Sequence, residues 1–284
     1  MRSYLFLLLL ALIPLSSTAQ KKIETKTYNA DAQAAYDQAL GFKNAGNHSS
    51  AKASLRKAIN HDQRYIDALR QLADYYYTEN LLDSALYFYG KNVEQYPRDF
   101  YAHNWIVTIL LQQQNYDAAL SQYNNILRTF GDDRSIELQA DTYYNIAKVE
   151  FRYKNNWQNA IDTGEAAMRK YLLLSELFAR PKDKQIAKEK ASQARMIAAK
   201  GYFLLGNYKI ALKYLKENAS YSGADPEYQF FLGNTYYQLG KTEKGTPLIK
   251  QAFTNGYEIP KEVLISGYQL PRELMLDHSE YKKN

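Results

Sequence analysis

The sequence predicts an all-α chain, an α-solenoid of about six stacked helix–turn–helix repeats with a lengthened helical hairpin between repeats four and five. Three observations carry this expectation. Small residues recur on one ruler: Ala51, Ala85 and Ala119 stand 34 residues apart, Ala160 follows after 41, Ala211 after 51, and Gly245 after 34 again. Upstream of each lies a helical pattern with a large side chain at a matching offset: Phe42, Tyr76, Leu110, Phe151, Tyr202 and Tyr236. Ala39, Ala73, Ala199 and Gly233 precede four of these by three residues, so each unit reads as two amphipathic helices crossing closely at small residues. The third observation is compositional: 27 tyrosines against two tryptophans and no cysteine. Aromatic rings opposite small residues account for that excess without a ligand.

The 284 residues, 46% hydrophobic and 23% charged, suffice for one elongated or two compact domains. Absence of Cys excludes disulfide scaffolds, thiolate metal sites, thiol nucleophiles and lipid anchors on Cys. The net charge of +6 is too small to argue for nucleic acid, and none is expected as a partner.

Residues 1–19 read as a secretory signal peptide. Arg2 gives a positive start, Leu5 to Leu15 is an uncharged apolar run of 11 residues, and Ser17 and Ala19 place small residues before a cut. A spanning helix needs about 20 apolar residues, so an exported product is expected, periplasmic or secreted and soluble after cleavage. The mature chain would begin at Gln20, with 265 residues and a charge of +5. Residues 20–30 form a linker, 31–258 the repeat domain and 259–284 a capping segment. In that last segment Pro260 and Pro271 break the period, and Val263 to Ile265 and Leu274 to Leu276 are apolar plugs for the final helix face. Asp225-Pro226 marks a helix start, Asp capping and Pro in the first turn.

Between units four and five, residues 159–178 and 184–205 are rich in helix formers and are parted at Arg180-Pro181-Lys182-Asp183. Asp183 is the expected cap of the second helix. The two would form a hairpin projecting beyond the solenoid's edge, held by Leu173, Leu177 and Phe178 against Ile186 and Ala187. From Arg169 to Lys190 there are seven basic and three acidic residues. Lys182, Lys184, Lys188 and Lys190 are the candidate docking tip for an acidic protein or an anionic membrane surface; the alternative is a solvated spacer.

This pattern resembles the tetratricopeptide-repeat (TPR) family over roughly residues 32–258. The best matches are Leu72-Ala73-x-x-Tyr76 with Ala85, Tyr89 and Pro97, and Leu232-Gly233-x-x-Tyr236 with Gly240, Ile249 and Ala252. Two units depart from it. The third has Val107 and Leu110 at family positions for Gly/Ala and Tyr, and the fourth has Lys148 in the small-residue place, which predicts a looser or shifted joint. The resemblance implies a concave groove lined by the first helix of each unit. Carried over by position, its lining is Tyr36 and Lys43, then Arg70, Asp74 and Tyr77, then Asn104 and Thr108, then Asn145 and Arg152, then Lys200, and finally Asn234 and Tyr237. Tyr offers flat contact area, Arg and Lys hold carboxylates, and Asn bonds a peptide backbone. The paired Lys and Asn of a carboxylate clamp are not matched.

No motif for chemistry stands out. Of His48, His61, His103 and His278 only His103 could face the groove, and no second ligand lies beside it. Gly240-Lys241-Thr242 lacks the leading Gly of a phosphate loop, since position 235 is Thr. Asp132-Asp133 and Asp162-Thr163-Gly164 lack a calcium ladder. No cofactor, metal or enzyme activity is therefore expected. The leading expectation is a non-catalytic protein–protein interaction scaffold of the cell envelope, holding a partner's extended segment or helix in the groove. The alternative is glycan binding by exposed tyrosine faces, against which Tyr76, Tyr89, Tyr123, Tyr202, Tyr214 and Tyr236 fall on repeat-core offsets.

Overall fold

A computed structural model of the chain describes residues 27–132, 136–266, 268–270 and 274. The signal-peptide reading of residues 1–19 lies outside them, as do residues 275 and 276 of the second plug. Among the described residues there is no strand. Six helix pairs follow one another: α1 (Ala30–Asn44) with α2 (His48–His61), α3 (Ile66–Thr78) with α4 (Leu82–Gln95), and α5 (Phe100–Gln112) with α6 (Tyr116–Thr129). Then come α7 (Ile136–Val149), continued by a π-helical turn (Glu150–Lys154), with α8 (Trp157–Leu177); α9 (Pro181–Leu204) with α10 (Tyr208–Ser222); and α11 (Pro226–Gln238) with α12 (Thr242–Thr254). A short α13 (Lys261–Ile265) ends the series. Within the six pairs each helix packs on its sequence neighbours, as a solenoid requires.

The local causes repeat with the period. Asn29, Asn47, Asn115 and Asn156 each accept a backbone N–H of the following helix, and Asp99 and Asp225 do the same for α5 and α11. Every turn inside a pair passes through one left-handed residue: Gly46, Asn80, Gln114, Asn155, Gly206 and Gly240. The ruler residues Ala51, Ala85, Ala119, Ala160 and Ala211 are fully buried. In the sixth pair a Cβ on Gly245 would stand 2.5 Å from the Gly233 carbonyl oxygen, so only two glycines let these backbones meet.

Unit four explains its own irregularity. In the other five units the two residues at the crossing of a pair, Val107 among them, are 12 apart, as in Ala73 to Ala85 or Gly233 to Gly245. Lys148 cannot enter the crossing, and Ala147, fully buried, takes the place one residue earlier. That leaves 13 residues to Ala160, and the π-turn absorbs the extra one. The shifted joint is thus a register slip of one residue.

The lengthened hairpin is present, with 21 residues in α8 and 24 in α9 against 13 to 15 in the other paired α-helices. Its seam matches the expected one at Phe178 and Ala187 alone. Leu173, Leu177 and Ile186 are exposed, while Tyr171, Leu174, Ala187, Ala191 and Ala194 close against Ala140 of α7. Small residues on α9 and Gly164 on α8 bring the helices together too closely for a leucine zipper. Nor does Asp183 cap α9: it sits in the first turn and pairs with Arg180 at 2.6 Å.

At the C-terminal end Val263 and Leu274 are buried against the last units, but Leu264 is 56% exposed. The first plug therefore covers the core through Val263 and turns Leu264 outward.

Candidate functional site

The resemblance assigns three positions of each first helix to the concave side, at −3, +1 and +4 from the small residue. In unit one these are Tyr36, Leu40 and Lys43, and in unit two Arg70, Asp74 and Tyr77. Much of this polar lining is engaged in holding units together. Arg70 lies bidentate on the fully buried Asp99, at 2.8 and 2.6 Å, and Asp99 also accepts from Asn92 and caps α5. Asp74 accepts the hydroxyls of Tyr89 and Tyr101, and the Tyr36 hydroxyl accepts from Gln71. Tyr77 packs on Trp105 at 4.5 Å between ring centres. Thr108 donates to the Asn104 carbonyl, closing a bond within its own helix. Lys43 is exposed.

The groove opens instead at units four to six. Here a cavity of about 170 Å³ is lined by Tyr144, Lys148, Phe151, Arg152, Met196 and Lys200, with Asp225 and Glu227 at the start of α11. The register slip builds it. With Ala147 as the small residue, the −3 and +1 positions of α7 become Tyr144 and Lys148. Asn145 is half-buried and does not line the cavity, because the slip rotates it off the concave face. Arg152 does line it. Lys200 is almost fully buried, lies over the Phe151 ring at 4.8 Å and pairs with Glu227 at 3.0 Å.

Lys148 and Arg152 differ from Lys200. Among the described residues no carboxylate lies within ion-pair distance of either. The Lys148 ammonium sits 5.4 Å from the Tyr144 ring centre. Burial, and after it the neighbouring Arg152 charge, hold the Lys148 amine below the ordinary lysine range. Lys148 is half-buried and the adjacent Arg152 exposed, and with neither ion-paired among the described residues the two cations are chemically suited to an anion. Sequence reasoning passed over Lys148 as a packing defect; its signal was the same misfit, a charge where the period asks for a small residue.

Asn234 and Tyr237 meet a different fate. Asn234 is fully buried: its amide donates to the Phe230 carbonyl and its oxygen accepts from the Tyr268 hydroxyl. Tyr237 is half-buried against the same cluster. The chain's own C-terminal segment covers this stretch of the concave face.

The candidate docking tip carries less free charge than expected. Arg169 pairs with Glu165, Arg180 with Asp183, and Lys190 with Asp141 at 2.9 Å and Glu137 at 3.8 Å. Lys190 thus belongs to the base of the hairpin, clamped to α7. Lys182 and Lys188 are exposed and Lys184 half-buried. Among the described residues no group of three or more His, Asp and Glu is placed to hold a metal ion, and no helix is long and apolar enough to cross a membrane.

No protein-family model matches the chain. A stretch of 131 residues, 46% of the chain, is 27% identical to an uncharacterized protein of Haemophilus influenzae, covering 71% of that protein. Among solved structures, the chain is similar to one in the complex of Naa15/Naa10 bound to HypK-THB, with a TM-score of 0.52 at 14% identity over 80% of this chain. It spans only 32% of that longer chain. YrrB, a TPR protein with an unusual peptide-binding site, gives a TM-score of 0.49 at 16% identity over 71% of this chain and 92% of YrrB. PilF of Pseudomonas aeruginosa gives 0.44 at 17% identity, over 89% and 96%. Likeness at such identities is one of fold. With the 34-residue register and the consecutive helix pairs, the chain has the tetratricopeptide-repeat fold.

Proposed function

We propose that this chain is a non-catalytic protein-interaction scaffold, exported to the cell envelope after loss of residues 1–19, which holds an acidic segment of a partner protein in its groove. The observation that carries this reading is the Lys148–Arg152 pair, two cations that no carboxylate of the described residues pairs with, in a cavity walled by Tyr144 and Phe151 whose acidic residues, Asp225 and Glu227, stand at the start of α11. A groove that was only a folding by-product would neutralise such a pair, as Lys200 is neutralised by Glu227. The fold is compatible with a protein partner, since the Naa15 structure that shares it is of a chain in complex with other proteins. Glycan binding draws less support. The hydroxyls of Tyr89, Tyr171, Tyr202 and Tyr214 are committed to Asp74, Asp141 and Glu165 inside the solenoid.

The test is fluorescence anisotropy with a labelled, Glu-rich decapeptide and the mature chain. Charge-assisted bonds contribute about 1.5–3 kcal/mol each. Lys148→Gln with Arg152→Gln should therefore weaken binding at least tenfold and flatten its salt dependence. Unchanged affinity and salt dependence would remove the site.

A further inference from the structure

Beyond that cavity, the concave face of unit six and the adjoining part of unit five are already filled, and by the chain itself. At the −3 position Tyr36, Arg70 and Asn104 are half-buried in units one to three, whereas Met196 and Phe230 are buried in units five and six. At +1, Leu40, Asp74 and Thr108 are half-buried, whereas Asn234 is wholly so. The residues that cover them follow α12. Val263 and Leu274 are buried in one cluster with Phe203, Phe230 and Phe231, and Tyr268 packs on Phe203 and Phe230 with ring centres 5.8 Å away in both cases. The Tyr268 hydroxyl donates to Asn234, the side chain placed where a groove would grip a peptide.

A helix that merely extended the solenoid would pack on α11 and α12. α13 shares their buried cluster through Val263, and it also lies beside the π-turn of unit four. It has five residues, follows directly on Pro260, and leaves Leu264 outward. Among the described residues the segment holds on by separate side chains, Val263 and Leu274 buried and Tyr268 and Leu270 half-buried, set on a floor built by α9, α11 and α12. That is how a bound peptide sits, and a helix this short has little stability of its own.

We infer that the concave face of unit six, with the adjoining part of unit five, is a second binding surface, aromatic and apolar, whose present occupant is the chain's own C-terminal segment. The partner it fits is a protein segment with one tyrosine between two aliphatic residues, in the spacing of Val263, Tyr268 and Leu274, which takes the segment's place. This inference rests on the scaffold reading but uses anchoring side chains other than Lys148 and Arg152, in a stretch of groove that adjoins theirs. A partner bound at both would lie along the groove from unit four to unit six, so displacement of the segment lengthens the available surface.

The experiment uses the full mature chain and a labelled peptide of residues 257–276. In the variant Val263→Asp with Tyr268→Ala the segment is weakened, and the peptide should bind in trans at least tenfold more tightly than to the unsubstituted chain. A variant with unchanged circular dichroism that binds the peptide no better would overturn the inference. Hydrogen exchange on the unsubstituted chain decides the matter independently of that variant's folding. The Val263 and Leu264 amides, both bonded to the Pro260 carbonyl, should exchange at least a hundredfold faster than those in the middle of α12. Exchange at the same rate as α12 would make the segment a permanent part of the core. Neither result bears on the acidic peptide, so the two sites stand or fall separately.

Discussion

At position 148 a lysine stands where the other five units place alanine, valine or glycine. Its four-carbon stem cannot enter the helix crossing, so the side chain is turned to the concave face and its amine is half-sheltered there. The charged form is the one an acidic partner needs, and burial together with Arg152 disfavours it. As pH rises through this lowered pKa, Lys148 loses its proton while exposed lysines keep theirs. Affinity for the Glu-rich peptide should then fall at a pH below the ordinary lysine range. Lys148→Arg keeps its charge there and should bind with no such fall. Stability runs the other way. Between the folded and unfolded pKa values the unfolded chain binds more protons, so the contribution of Lys148 becomes more favourable as pH increases across that window. Peptide titrations and urea midpoints between pH 7 and 10.5 check both signs; a parallel fall in the Lys148→Arg variant would assign the pH dependence to another group.

Among the elements, α11 and α12 show what the small residues are for. A Cβ at Gly245 would meet the Gly233 carbonyl oxygen at 2.5 Å and the Tyr237 amide nitrogen at 2.9 Å, both backbone atoms that no rotamer change can move. Gly245→Ala should force the pair apart and cost about 2–3 kcal/mol, read as a lower urea midpoint. Ala substituted at the exposed Gly41, where nothing lies within 4 Å, is the control and should not destabilise. This ruler of small residues made the helix pairs legible in the sequence, because a close crossing admits few residue types. The hairpin was legible in its length and, beyond Phe178 and Ala187, not in its seam. Leu173 and Leu177 looked like core by hydrophobicity, yet Gly164 and the alanines of α9 set the separation and turned the leucines outward. The groove was legible least. Arg70 and Asp74 stand at concave positions, but their partners Asp99, Tyr89 and Tyr101 come from the next helices, and sequence spacing does not report such pairings. Phe230 held an unread signal: a phenylalanine on a groove-facing position implies that something covers it.

Across the whole molecule, stability is a chain of neighbour interfaces. One cluster of buried side chains joins α1 through α5, another joins α7, α8 and α9, and a third joins α9 to the C-terminal segment. Between the first two, the connection runs through a smaller group in which Val107, Tyr123, Ile126 and Phe130 meet Ile146 and Val149. Ile146 is 3% exposed at this junction. Truncating it to Ala should cost about 2–5 kcal/mol, and the loss falls on the coupling between units three and four. The two tryptophans divide between the halves: Trp105 packs on Tyr77 and Tyr89, and Trp157 packs with Phe151 and Ile197. Single-tryptophan chains, Trp157→Phe and Trp105→Phe, therefore report units one to three and units four to six respectively. In the parent background their urea transitions should coincide. With Ile146→Ala added they should separate, because each half keeps its own core while the junction no longer forces them to unfold together. Transitions that shift equally and stay superimposed would mean that coupling is spread along the solenoid and that this junction is no weaker than the rest.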